Sequence, residues 1–141
     1  MNGLNKENFR LMKLLINIKK KILSKKQDLF FIIYHRKKIG FVQIYQYNEK
    51  ISGYNNLYEY DLFIGEPELI SKGIGTQVVN YIDDYIYKNY LCDGIVLRPF
   101  DRNKRAIRCY EKCDFKRVNE YIGPDTLGNQ EKIVVVLNVS R

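Results

Sequence analysis

The stretch Asp61-Leu62-Phe63-Ile64-Gly65-Glu66-Pro67, followed after three residues by Ser71-Lys72-Gly73-Ile74-Gly75-Thr76, narrows what this chain can fold into more than any other. It reads as a strand, a glycine loop and the start of a helix. The first four amides of a helix have no intrahelical partners and carry the positive end of its dipole, so phosphate oxygens are their natural ligands. Glycines at 73 and 75 let that backbone come close to such a ligand. A dinucleotide fingerprint would place a third glycine at position 78, where Val78 stands, and a P-loop would carry its lysine after the glycine, whereas Lys72 precedes it. Neither nucleotide motif is met. A plain helix-start turn is the alternative to an anion seat, and the flanking segments decide between them.

From Glu7 to Lys26, Leu11, Leu14, Leu15, Ile18 and Ile22 recur at helical spacing with the lysines largely outside that stripe, which predicts an amphipathic helix. Leu29–Tyr34 and Ile39–Tyr47 predict two strands joined by the charged turn His35-Arg36-Lys37-Lys38 into an antiparallel hairpin. His35, the one histidine, is there a surface residue. A loop over 48–56 leads to a central strand, Leu57–Ile64, on which Glu59 and Asp61 share a face. Two carboxylates in mid-strand are costly to bury, so that face is expected to open to water or to a cationic ligand. A helix then runs from the glycine loop to about Asn89. Gly94–Leu97, apolar without alternation, predicts a strand covered on both sides and ended near Pro99. Asn103 is expected to cap a helix to about Lys112, with Ala106, Ile107 and Tyr110 inward. Phe115–Tyr121 and Glu131–Val139 predict a last antiparallel pair.

With 141 residues the chain is read as a single domain, 1–141. Its net charge of +8 is unevenly spread: residues 1–40 hold 11 Lys and Arg against 2 acids, residues 41–141 hold 13 against 14. A solvated helix face accounts for the basic segment better than nucleic acid does, because no aromatics are interleaved with the lysines. Cys109 and Cys113 sit one helical turn apart with no His or further Cys to complete a metal set, so idle thiols in a reducing compartment, and no metal, are expected. The apolar positions from Leu11 to Ile18 are interrupted by Lys13 and Asn17, too short and broken for a signal core or a membrane span. A cytoplasmic protein without membrane contact is expected.

The glycine corner, taken with Asn103-Lys104-Arg105-Ala106-Ile107-Arg108-Cys109-Tyr110-Glu111-Lys112-Cys113-Asp114-Phe115, resembles the aminoglycoside 6′-N-acetyltransferase branch of the GNAT superfamily over roughly residues 29 to 120. The resemblance implies a mixed α/β (α+β) fold: a mostly antiparallel sheet, splayed between the parallel Leu57–Ile64 and Gly94–Leu97 strands and flanked by helices. It implies acetyl-CoA as cosubstrate in that splay, its pantetheine arm along the backbone of Leu62, Phe63 and Ile64 and its pyrophosphate on Ser71, Lys72, Gly73, Ile74, Gly75 and Thr76. Asn103 would touch the cofactor arm. Acetyl transfer to an amine needs a neutral amine, a donor to the developing oxyanion and a proton for the departing thiolate. Asp61 is the candidate for the first, directly, through water, or by holding a cationic substrate. A backbone amide near Leu62 or Phe63 is the candidate for the second, and Tyr110 for the third. Glu59 and Asp61 would hold a small-molecule amine. Each has a structural counterpart: a core tyrosine at 110, an exposed strand residue at 61, a simple N-cap at 103.

Three positions depart from the branch. Arg98 stands where an acid usually precedes the proline, and a cation there would repel a polycation. The chain reads as lacking the family's first strand and first helix, with part of the acceptor cleft then missing or supplied by a second subunit of a homodimer. Asp114 replaces a glycine after the second helix, tolerable only if that position is not left-handed. Two functions follow: an acetyl-CoA-dependent N-acetyltransferase acting on a primary amine, an aminoglycoside first or else another small amine or peptide, or a GNAT-like domain that binds acyl-CoA or an anionic partner without turnover.

Overall fold

The computed structural model describes residues 9–13 and 27–139. Ten elements follow one another: β1 (Phe9–Lys13), β2 (Gln27–Tyr34), β3 (Lys37–Gln46), β4 (Leu57–Ile64), α1 (Pro67–Ser71), α2 (Ile74–Asn89), β5 (Gly94–Leu97), α3 (Lys104–Lys112), β6 (Lys116–Pro124) and β7 (Gln130–Val139). The strands form one sheet of seven in the order β1-β2-β3-β4-β5-β7-β6. All neighbours are antiparallel except β4 and β5, the mixed α/β arrangement expected.

Local chemistry accounts for most boundaries. The β2–β3 hairpin closes Tyr34 onto Lys37 through His35 and Arg36, both at positive φ (50° and 67°), the two-residue turn whose twist matches the strands. Gly40 is required by packing: a Cβ there would lie 2.0 Å from the carbonyl oxygen of Phe63 on β4. On α3 the Asn103 side chain accepts a hydrogen bond from the Ala106 amide at 3.2 Å, the expected cap. β5 is buried at all four positions, as its unbroken apolar run required.

Two expectations are corrected. Over Phe9–Lys13 the helix predicted from Glu7 gives way to a strand, in register with Tyr34–Phe30, while residues 7–8 lie outside the described ones. The open edge of β2 supplies a ladder, and Phe9 buries its ring against Tyr34 and Tyr81 at centroid distances of 4.8 and 5.7 Å. That tertiary gain exceeds a local preference worth tenths of a kcal/mol per residue, roughly. The remainder of the predicted helix, 14–26, lies outside the described residues. Asp114 does adopt the left-handed conformation (φ 70°), contrary to the condition set for it. Aspartate is among the few residues that visit this region as single positions. Pro67–Ser71, expected within the glycine loop, forms the short helix α1.

One layer of core lies between the sheet and α2, where Val78, Val79, Ile82 and Ile86 meet Ile32, Val42, Ile44, Tyr60 and Ile95. A smaller cluster, Leu57, Val96, Val135 and Leu137, lies on the opposite face beneath Tyr47, Ile51 and Tyr54. The loop after β3 is tied to the start of β5 by the Asp93 carboxylate, which accepts from the amides of Asn55 and Asn56 at 2.9 and 3.0 Å. The two faces of β4 thus front two different environments.

Candidate active site

β4 and β5 pair only from Leu57 to Glu59, against Gly94 to Val96. β5 ends at Leu97, while β4 continues to Ile64, paired there with β3. The sheet therefore splays as expected, and among the described residues no strand pairs with the β5-side edge of β4 from Tyr60 onward. Alternation sends Tyr60, Leu62 and Ile64 toward α2 and Leu57, Glu59, Asp61 and Phe63 to the far side.

On the α2 side the splay opens into a cleft of about 510 Å³ whose lining includes Leu62, Ile64, Gly73, Gly75, Thr76, Asn103 and Tyr110. Residues chosen from three separate segments are brought together there. Gly73 caps α2 in the left-handed region (φ 79°) and, having no side chain, makes no cap hydrogen bond, so the first amides of the helix can serve a ligand. Arg105, Arg108 and Lys112 of α3 line the same cleft. The sequence reading missed them; their i, i+3, i+7 spacing, which puts three cations on one helix face, was the available signal. Amides at a helix N-terminus opposite three cations suit a polyanion.

The other expected residues are placed differently. Phe63 is 56% exposed, its ring on the far face with its centroid 5.5 Å from that of Phe41, so its backbone is the part that can meet a ligand in the cleft. Ile74 is buried in the core, Lys72 is exposed at the start of the loop, and Ser71 closes α1.

Tyr110 is half-buried, its ring 5.8 Å from Phe115. Burial first, then the proximity of Cys109 and Asp83, pushes its hydroxyl up to about 12. It therefore holds its proton throughout the neutral range. Cys109, beside it in the cleft, is held down to about 6 by hydrogen bonding from Cys113, against burial, with Thr76 and Lys112 assisting. Beneath the cleft the buried Asp83 accepts from the Tyr60 hydroxyl at 2.9 Å, and its second oxygen has no partner. Burial pushes its carboxyl well above the usual range.

On the far face Asp61 is exposed and accepts a 3.1 Å hydrogen bond from the Tyr45 hydroxyl of β3. Glu59, two residues earlier, is only 3% exposed. Both of its oxygens are engaged by Arg98, from Nε at 2.5 Å and from Nη2 at 2.9 Å. Expected to open to water or a cationic ligand and to help hold an amine, Glu59 is instead closed off by Arg98 of the chain itself and is not open to a substrate. Burial lifts the Glu59 carboxyl, the Arg98 bonds draw it back, and the guanidinium stays charged at any accessible pH. Arg98 also donates from Nη1 to the Tyr121 hydroxyl at 3.0 Å and lies over the Tyr47 ring at 5.6 Å. These residues line a cavity of about 530 Å³ with Glu49, Lys50, Ile51 and Asn119. Among the described residues no group of three or more His, Cys, Asp or Glu could hold a metal, and no helix is long and apolar enough to cross a membrane.

Residues 7–122 match the acetyltransferase (GNAT) domain family. The chain is 32% identical over 65 residues to the aminoglycoside N(6′)-acetyltransferase type 1 of Klebsiella pneumoniae, covering 46% of this chain and 32% of that protein. It is 32% identical over 65 residues to a kanamycin resistance protein of Rhizobium radiobacter, covering 46% of this chain and 60% of that one. In fold it is similar to AAC(6′)-Ib solved with ribostamycin and coenzyme A, with a TM-score of 0.66, 21% identity, and coverage of 80% of this chain and 64% of that one. The chain thus spans less than two thirds of the length of each.

Proposed function

The chain belongs to the GNAT acetyltransferase family, and we propose that it transfers the acetyl group of acetyl-CoA to a primary amine. The observation that carries the reading is the splay between β4 and β5, with an anion-suited cleft on one face of β4 and Asp61 on the other. The cosubstrate, when bound, supplies a thioester carbonyl and a thiol leaving group. Leu62 to Ile64 offer their unpaired backbone edge to its amide-rich arm, with Asn103 alongside. Gly73 to Thr76, next to Ser71 and Lys72, offer amides to its diphosphate, and Arg105, Arg108 and Lys112 offset the remaining charge.

In this reading Asp61, oriented by Tyr45, receives the proton that the ammonium must lose before nitrogen can attack, directly or through a water. An amide of Leu62 or Phe63 donates to the carbonyl oxygen as negative charge develops there. Tyr110, protonated at neutral pH, gives its proton to the departing sulfur. The products are the N-acetyl amine, the free thiol and a proton released to solvent. The names of the sequence relatives put an aminoglycoside 6′-amine first among acceptors to test. Another small amine is favoured by one observation, the guanidinium of Arg98 in the acceptor-side wall. Acyl-CoA binding without turnover is the competing function, and a cytoplasmic site of action goes with the acetyl-CoA reading.

The test is release of free thiol from acetyl-CoA in the presence of kanamycin, polyamines and amino acids, with Asp61→Asn alongside. Turnover that falls by about 10² to 10⁴ in Asp61→Asn is expected. Calorimetric binding of acetyl-CoA without thiol release from any amine would leave a binding domain only.

A further inference from the structure

We infer that the acceptor cavity is built for an amine that also carries a carboxylate, with Arg98 as the residue that recognises it. The inference rests on the acetyl-transfer reading and adds the substrate class. Among the described residues Arg98 uses three of its five N–H groups, on Glu59 and Tyr121, leaving one on each terminal nitrogen. Its side chain is 35% exposed, and that exposed part faces the cavity it lines. A planar fork with a free hydrogen on both terminal nitrogens matches the two oxygens of a carboxylate.

The neighbours agree in sign. Tyr121 accepts from Arg98, so its own hydroxyl proton is available to a second acceptor in the cavity. Lys50 lines the wall as well, and Glu49 is the sole acid among the lining residues. Glu59 does not alter this balance for a ligand, because it is buried and both its oxygens are on Arg98. It fixes the guanidinium in place and cancels one charge, so that the site receives one anionic group without a large cationic field. A polycation finds no acidic wall there. Tyr47 and Tyr121, with Ile51, supply apolar surface for the carbon skeleton.

Asp61 lies two residues beyond Glu59 on the same strand face, roughly 7 Å along it by the rise of a strand. A ligand whose ammonium meets Asp61 can therefore place a carboxylate on Arg98 if several bonds separate the two groups. Lysine and cadaverine isolate this feature, since they share both amines and differ only in the carboxylate.

The experiment compares kcat/KM for lysine and cadaverine in wild type and in the doubly neutral variant Glu59→Gln/Arg98→Met, which leaves no buried charge unpaired. Wild type is expected to favour lysine by about tenfold or more, as a charge-assisted bidentate contact implies. The double variant is expected to bring the ratio within about threefold of unity. Calorimetric titration of both amines into wild type with coenzyme A present reads the same preference without turnover, and stands if the variant fails to fold. Equal or better use and binding of cadaverine overturns the inference while leaving the acetyl-transfer reading intact. So does the absence of binding by either amine to the coenzyme-loaded protein. Binding of lysine over cadaverine with no thiol released from acetyl-CoA by any amine keeps the carboxylate site and removes the enzymatic reading.

Discussion

Arg98→Met should be among the most destabilising single changes in this protein, and the reason lies in Glu59. The carboxylate is 4% exposed in its side chain and receives two hydrogen bonds from the guanidinium. Removing the cation leaves a buried negative charge without a partner, a change that costs about 3 to 5 kcal/mol in comparable sites. Arg98 itself is 35% exposed, so water can reach the vacated position and the low end, about 3 kcal/mol, applies. For a domain of this length, with an unfolding entropy of roughly 0.3 kcal/mol/K, that is a fall in Tm of about 10 °C. The sign of the pH dependence follows as well. Burial already raises the Glu59 carboxyl, and loss of Arg98 raises it further. A folded-state pKa above the unfolded value gives stability that is fully present below the unfolded value and lost as pH rises through the folded one. Arg98→Met should therefore recover toward wild type on acidification, by about 1.4 kcal/mol per pH unit between those two values. Urea unfolding at pH 5 to 8, with Glu59→Gln and the double variant completing a cycle, reads both effects. The double variant should be more stable than Arg98→Met alone at neutral pH, with a coupling of about 2 kcal/mol or more. A Tm loss under about 3 °C in Arg98→Met, with no pH dependence beyond that of wild type, would refute the argument.

Two further outcomes follow from the same structure. Tyr110→Phe should lower kcat by about 10² while changing KM for acetyl-CoA less than about threefold, measured by thiol release. Wild-type kcat should show no alkaline loss attributable to Tyr110 below about pH 11, because its hydroxyl is pushed up to about 12; an unchanged kcat in the variant would make Tyr110 a packing residue. Asp83→Asn should stabilise the fold at pH 8 and progressively less toward pH 4. The buried Asp83 must hold a proton that the unfolded chain releases, so the wild type loses stability as pH rises above the free carboxyl's range. A gap between the two proteins that does not vary with pH, followed by urea unfolding, would exclude this origin.

How much of this was legible beforehand depended on the range of the interaction. The cap at Asn103, the buried run Gly94–Leu97 and the hairpin at His35 and Arg36 all answer to neighbours within a few residues, and each formed as read. At Phe9–Lys13 a helical stripe gave way to the edge of β2, a partner more than 15 residues distant that periodicity does not encode. The face carrying Glu59 is expected from the sequence to open to water or to a cationic ligand; at Glu59 it is instead closed by an internal guanidinium. That the cation would be Arg98, 39 residues away, could be known only once β5 lay beside β4.

The sequence by itself determined the strand, glycine loop and helix start, since left-handed backbone at Gly73 and unpartnered amides are properties of contiguous residues. Tertiary structure alone decided the charge of the two faces that β4 separates. It gathered Arg105, Arg108 and Lys112 over the helix start, and it turned the Glu59 carboxylate inward onto Arg98 while leaving Asp61 outside. The reason is that a side chain's charge is written in the sequence, but its effective field depends on which opposite charge is within a few ångströms and on how much water is excluded between them.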